Sequence, residues 1–240
     1  MTEPEALEFA DRIEAALVGQ PPMTIPELRK VLDGPLPGNR NALQMTMALL
    51  TRSGRLVRTK ARGSWRSDLY SYARWADWLD VDIEELDPDA GRIEVARRYL
   101  RAFGPATTAD LAWWTGWTKR DSIAALTALD SEVVAVDLEG GEGGSTTAWA
   151  LADELDTLAS VDPKAARGVR LLPIWDAYFM GYEGSSTARA RQLAAEDYPR
   201  VYDKIGNATS TVIEDGFAAG VWELDADAGV VTVAPFRKLR

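Results

Sequence analysis

The sequence predicts an α+β chain: two tandem winged helix-turn-helix units followed by a small antiparallel β module. Three observations predict it. The first is Tyr99–Trp117, YLRAFGPATTADLAWWTGW, where a helical run (Ile93, Ala96, Tyr99, Leu100, Phe103) stops at Gly104–Pro105. Glycine suits the left-handed position just past a helix end, and proline cannot continue the helix. Thr107 then stands three residues before Asp110, the spacing of a capping hydroxyl and a carboxylate that serve orphan N–H groups. The second observation is repetition. Pro22–Leu28, PMTIPEL, aligns without gaps on Pro105–Leu111, PATTADL, at an offset of 83 residues, with Thr24 and Glu27 as the matching box. Self-similarity of a whole supersecondary unit points to tandem copies. The third is a change of pattern near residue 169, after which alternating apolar runs are split by hairpin turns. The expected modules are 1–80, 81–160 and 169–240.

Taken in order, Glu5–Val18 reads as an amphipathic helix with Leu7, Phe9, Ile13, Ala16 and Leu17 toward a core. Pro26–Leu32 is a short helix with proline at its first position, and DGPLPGN is a loop. Arg40–Arg52 follows. Its apolar face is Leu43, Met47 and Leu50, and Arg40 and Gln44 lie one turn apart on another face. This is the candidate recognition helix. RLVRTK (Arg55–Lys60) and DLYSYAR (Asp68–Arg74) alternate as strands, joined by a wing carrying Arg62, Trp65 and Arg66. Trp75–Leu86 is an apolar, acidic connector. In the second unit Thr118 caps KRDSIAALTAL, and Val133, Val134 and Val136 mark a strand. The wing there, Leu138–Thr146, is acidic and glycine-rich and is expected to be a flexible tip. After a short helix at Ala152–Ala159 comes the strand in VRLLP. Three further strands within Thr209–Phe236 turn at Asp215–Gly216 and Asp225–Gly229. The polar segment Glu183–Asn207 between them reads as a mobile loop.

With 46% hydrophobic and 27% charged residues, 240 residues can bury a proper core. No apolar run approaches the roughly 18 residues of a membrane span, and the acidic N-terminus MTEPEALEF does not resemble a signal peptide. A cytoplasmic protein without membrane contact is expected. The chain has no Cys and no His, which excludes disulfides, thiolate nucleophiles, Cys/His zinc sites and Ser-His-Asp triads. Neither a metal nor a cofactor is expected.

The net charge of −10 weighs against generic polyanion binding, yet its distribution is uneven. Residues 1–80 hold eleven basic and ten acidic side chains, net +1, so the rest carries −11. Within Leu28–Arg74, ten basic residues face only Asp33 and Asp68, a window of +8. Such asymmetry on a helix-turn-helix suits a phosphate-facing surface. Arg40, Gln44, Arg52, Arg55, Arg62, Trp65 and Arg66 are the candidate contacts to double-stranded DNA. Gln44 is the plausible base reader, and the arginines position. In the second unit only Lys119 and Arg120 could meet a phosphate, so that unit reads as structural or partner-facing.

Tyr99–Trp117, followed by VRLLPIWDAYFMGY and DGFAAGVWELDADAGVVTVAPF, resembles a bacterial tandem winged-helix family of DNA-binding-domain-containing proteins. Its best-understood members are DNA glycosylases that unhook alkylated bases and interstrand crosslinks. The resemblance implies the fold over nearly the whole chain, and a relation to DNA repair. It also implies an additional N-terminal region, with a Q-x-Q or related polar pair that positions the attacking water; the chain reads as beginning after it. Among Gln20, Gln44 and Gln192 there is no Q-x-Q, so the catalytic role does not carry over. EGSSTARAR also replaces the family's basic, polar turn. Asp176 does match the family's pattern. An aspartate after a buried strand serves as a helix cap more often than as a catalyst, and it stays a weak catalytic candidate. Trp175, Tyr178 and Tyr182 beside it are candidates to line a pocket, although aromatics at this density usually form core. Non-catalytic DNA binding through the first unit is the leading expectation. The alternatives are a protein- or small-molecule-binding module working through the acidic C-terminal half, and an enzyme reusing the scaffold around Asp176.

Overall fold

The computed structural model describes residues 2–35, 41–64, 67–81, 86–139, 144–184 and 187–239. It is α+β, with all sheets antiparallel. Two compact units divide it, residues 1–85 and 86–240. Among the described residues no helix is long and apolar enough to cross a membrane.

The first unit runs α1 (Glu3–Leu17), β1 (Met23–Thr24), α2 (Ile25–Val31), α3 (Ala42–Arg52), β2 (Leu56–Ala61), β3 (Tyr70–Arg74) and α4 (Trp75–Trp78), with a sheet of order β1-β3-β2. Phe9, Ile13 and Leu17, spaced four apart, form the buried stripe of α1 and pack on Leu28, Leu43, Met47, Leu50, Leu56 and Tyr72. Leu7, expected in that stripe, is 57% exposed. It precedes Phe9 by two residues, about 200° around the helix. The first capping box forms as its spacing dictates. The Thr24 N–H donates to Glu27 Oε2 at 2.7 Å, and Thr24 Oγ1 accepts from the Glu27 N–H at 3.4 Å. Pro26 is the second residue of α2 rather than the first. The two-residue β1, unmarked by any alternation, is held by pairing Met23 with Tyr72 and Thr24 with Ser71.

The second unit holds α5 (Pro88–Phe103), α6 (Thr108–Thr115), α7 (Lys119–Ala128), the hairpin β4 (Val133–Glu139) and β5 (Ser145–Leu151), and α8 (Leu155–Ser160). It continues through β6 (Val169–Leu172), α9 (Ala177–Met180), α10 (Thr187–Ala190), α11 (Tyr198–Val201), β7 (Thr211–Glu214), β8 (Phe217–Asp225) and β9 (Val230–Pro235), with β6-β7-β8-β9 as one sheet. The expected tip of the β4–β5 hairpin at residues 140–143 lies outside the described residues. Gly104 corrects one expectation. Its φ is −68° and ψ 152°, extended rather than left-handed. Glycine is needed there for space, because a Cβ would collide with the Leu100 carbonyl. Gly116, closing α6 at φ 73°, is the left-handed cap.

The segments expected as separate modules, 81–160 and 169–240, contribute to this one compact unit, and long-range hydrogen bonds join their described residues. Tyr99 OH donates to Gly181 O at 2.7 Å, Tyr182 OH to Phe103 O at 2.9 Å, and the Glu183 N–H to Asp110 Oδ1 at 2.9 Å. Burial pushes the Tyr99 phenol pKa upward, with Asp110 and Tyr182 adding to it. The segment 183–207 is also corrected. Its described residues supply Leu193, Val201 and Tyr202 to a core with Phe179, Ala208, Ile213 and Ala218. At the junction the Gly181 backbone lies against the Phe103 ring. A Cβ at Gly181 would meet Phe103 Cδ1 at 2.5 Å and Cε1 at 2.7 Å. Gly181→Ala should therefore cost about 1–3 kcal/mol, the range for overpacking. Denaturant unfolding at unchanged stability would refute this.

Candidate nucleic-acid interface

The exposed surface of α3 follows from its period. Ala42, Leu43, Thr46, Met47 and Leu50 are buried. The spacing i, i+4, i+8 then leaves Gln44, Ala48 and Arg52 exposed along one stripe, with Met45 and Leu49 (56% and 57% exposed) beside it. An amide, a methyl and a guanidinium on one helical stripe can meet a base edge, a thymine methyl and a phosphate. Arg40, Trp65 and Arg66 lie outside the described residues.

The remaining predicted cations divide into two groups. Arg55 is bound within its own unit: Nη2 reaches Asp11 Oδ1 at 2.6 Å, and Nε donates to Glu14 Oε2 at 2.7 Å. The hydrogen bond it donates to Asp11 chiefly, helped by the one to Glu14 and by both negative charges, raises its pKa against the cost of burial. Arg74 joins the same carboxylate, Nε to Glu14 Oε1 at 3.4 Å. Arg62 braces the hairpin by donating to Ser71 Oγ at 2.8 Å and Pro22 O at 3.0 Å, with Glu27 at 3.5 Å. Glu27 is in turn held below the usual carboxylate range, chiefly by the Thr24 backbone N–H. Arg29, Lys30, Arg52 and Lys60 are exposed. Among the described residues none of these four is engaged in an ion pair. Sequence reasoning did not single out Lys60; its place on an exposed position of β2, beyond Arg58 stacked 4.6 Å over the Tyr70 ring, makes it the available cation of that strand.

Around Asp176 the side chains serve structure. Asp176 Oδ1 accepts from the Tyr178 N–H at 2.9 Å and caps α9. Tyr178 OH donates to Gly216 O at 2.6 Å, and Tyr182 OH to Phe103 O. Trp175 is 61% exposed. Gln192 is buried and donates from Nε2 to Tyr178 O at 2.5 Å. Arg189, 2% exposed, donates to the Phe179 and Tyr182 carbonyls and to Tyr198 OH, and sits 4.2 Å over the Tyr202 ring. A cation there meets the carbonyl end of α9 and ring faces, which stand in for a carboxylate.

This succession of helices, hairpins and antiparallel sheet is shared with a solved DNA glycosylase. The Streptomyces sahachiroi DNA glycosylase AlkZ matches at a TM-score of 0.70 and 24% identity, over 100% of this chain and 63% of that one. A family model described as DNA glycosylase AlkZ-like matches residues 1–240, and the chain belongs to that family. An interstrand DNA cross-link repair glycosylase of Streptomyces sahachiroi is 30% identical over 163 residues, covering 67% of this chain and 40% of the relative. The chain thus spans less than two thirds of the length of the relatives it matches.

Proposed function

We propose that this chain is a non-catalytic, duplex-DNA-binding protein of a DNA-repair family, binding through its first unit. In this reading α1 to β3 and α5 to β5 are two winged helices, α3 is the recognition helix, and the β2–β3 hairpin is the wing. The observation that carries it is the exposed stripe of Gln44, Ala48 and Arg52 on a helix whose opposite face is core. The family supports DNA as the partner. Lys60 on the hairpin adds a second phosphate contact, and by sequence Arg40, Trp65 and Arg66 add to both elements.

The non-catalytic part rests on where the polar side chains are spent. A base-releasing enzyme must hold a water and stabilise a developing cation beside an extruded base. Asp176 is committed as a helix cap, Gln192 is buried against Tyr178 O, and Gln44 stands exposed on α3. The purified chain should release no base from alkylated duplex above the uncatalysed background, as read by chromatography of free bases. Release at an enzymatic rate that Asp176→Asn abolishes would overturn the proposal and make Asp176 the catalyst.

A further inference from the structure

The sheet β6-β7-β8-β9 ends on an open strand, since β9 lies at its edge and every residue of Val230–Pro235 is exposed. Hydrogen-bond alternation fixes which backbone groups face outward. The Phe236 N–H donates to Ala219 O at 2.8 Å, so in this antiparallel ladder the backbone groups of Ala234, Thr232 and Val230 turn toward β8. Those of Val231 and Val233 turn to the open side, where among the described residues no strand pairs with them. Pro235 belongs to the outward set, and its missing N–H costs the sheet nothing there. By register Val231 sits beside Leu224 and Val233 beside Trp222 on one face, and Leu224, Val231 and Val233 are 45%, 45% and 39% exposed. Edge strands are commonly kept from pairing by lysines, by inward-pointing charges or by being short. β9 carries no charge within its span, whereas β6 at the opposite edge is only four residues long.

Charge flanks β9 with opposite signs at its two ends. The turn that enters it carries Asp225 and Asp227, and Arg237 and Lys238 follow it. Asp227 and Lys238 are exposed, and among the described residues neither is engaged in an ion pair. Arg237 reaches Glu214 only at 3.8 Å. A strand that is acidic at its start and basic at its end complements itself when reversed. Two copies running antiparallel set each acidic end beside the other's basic end, while a parallel neighbour sets like charge beside like.

We propose that β9 is the pairing edge for a second copy of this chain, joined antiparallel about a twofold axis at Thr232. The backbone sets that register. Only outward-facing residues can exchange hydrogen bonds across the edge, so the axis passes through Val231, Thr232 or Val233. With the axis at Val233, Val231 faces the other copy's Pro235, which has no N–H to give. With the axis at Val231, Val233 faces Gly229, which lies in the turn. With the axis at Thr232, Val231 of each copy exchanges both bonds with the other copy's Val233, and the valines stand side by side as cross-strand pairs. The contact is then the same on both copies, as a closed dimer requires. The same register brings Asp227 opposite the other copy's Arg237 and next to its Lys238.

An interface one strand wide sits at the weak end of specific association, so a Kd on the order of 100 μM is expected. Sedimentation of the full chain up to about fivefold above that Kd should show the 26.3 kDa monomer giving way to dimer. The chain has no cysteine, so Thr232→Cys supplies a single thiol. It would face its own counterpart at a non-hydrogen-bonded position, about 4.5 Å between Cα atoms and within disulfide reach. Under mild oxidation it should form a covalent dimer about tenfold or more faster than Thr157→Cys, an exposed position on α8. Val233→Pro removes an outward N–H and spares the bonds to β8, and Val231→Lys charges the edge. Each should stay monomeric with an unchanged circular dichroism spectrum. Asp227→Lys should weaken the dimer about threefold or more, because symmetry removes the contact at both ends. Adding Lys238→Asp should restore it. A wild type that stays monomeric throughout, a dimer that survives both edge variants, or a Thr232→Cys chain that cross-links no faster than its control overturns the proposal.

Discussion

Replacing Asp110 with alanine should destabilise the second unit more than any other single change at its helix starts. The carboxylate is fully buried and works in two directions. Oδ2 accepts from the Thr107 N–H at 2.8 Å and Thr107 Oγ1 at 2.7 Å, closing the start of α6, and Oδ1 accepts from the Glu183 N–H at 2.9 Å. Alanine leaves both N–H groups without that acceptor in part-buried surroundings. At about 1–2 kcal/mol for each stranded donor, the expected loss is about 2–4 kcal/mol. For a unit of this size that lowers Tm by roughly 5–15 °C. Asp110→Asn keeps one oxygen and should fall between. Thr107→Ala removes only the cap and should cost about 1 kcal/mol. Thermal and urea unfolding of the three variants ranks them. An alanine variant within experimental error of wild type would show that solvent replaces the carboxylate.

Asp110 also shows where sequence reading stops. Its local half was legible, because a T-x-x-D spacing next to a Gly-Pro break has few other uses, and Thr24–Glu27 repeated the signal. Its distant half was not, since Glu183 lies 73 residues on and no local pattern encodes that partner. Charges divide the same way. A +8 window counts signs and not distances, and Asp11 and Glu14, outside that window, take up Arg55 and Arg74. The polarity of 183–207 suggested mobility, yet Arg189 is buried because rings and helix-end carbonyls solvate it. The hairpins were readable from alternation and turn residues alone. The left-handed backbone of Trp175, at φ +58°, was not, because nothing in its residue type asks for it.

Duplex binding should weaken sharply on reversing two charges, Arg52→Glu with Lys60→Glu. Both wild-type side chains are exposed, and among the described residues neither serves an ion pair within the protein, so reversal leaves the first unit folded. That separates them from Arg55, whose reversal would set a third carboxylate against Asp11 and Glu14, and from Arg62, which also braces Ser71 and Pro22. If about three to five phosphates are neutralised, log affinity should fall with log salt at a slope of about −3 to −5, and losing two contacts should flatten it by about 2. The −11 beyond residue 80 opposes binding at long range, though salt screens that repulsion within a Debye length of about 10 Å at 0.1 M. The double reversal should then weaken binding by about a hundredfold or more at low salt, taking a few kcal/mol from an already modest affinity. Gln44→Ala should spare non-specific affinity and flatten any preference at one base pair, worth about 1–3 kcal/mol. Lys119→Glu with Arg120→Glu, in the second unit, should change affinity by less than about threefold. Fluorescence anisotropy across a salt series reads all of these. A larger loss from the Lys119–Arg120 pair than from the Arg52–Lys60 pair would move the interface to α7 and sink the assignment of α3.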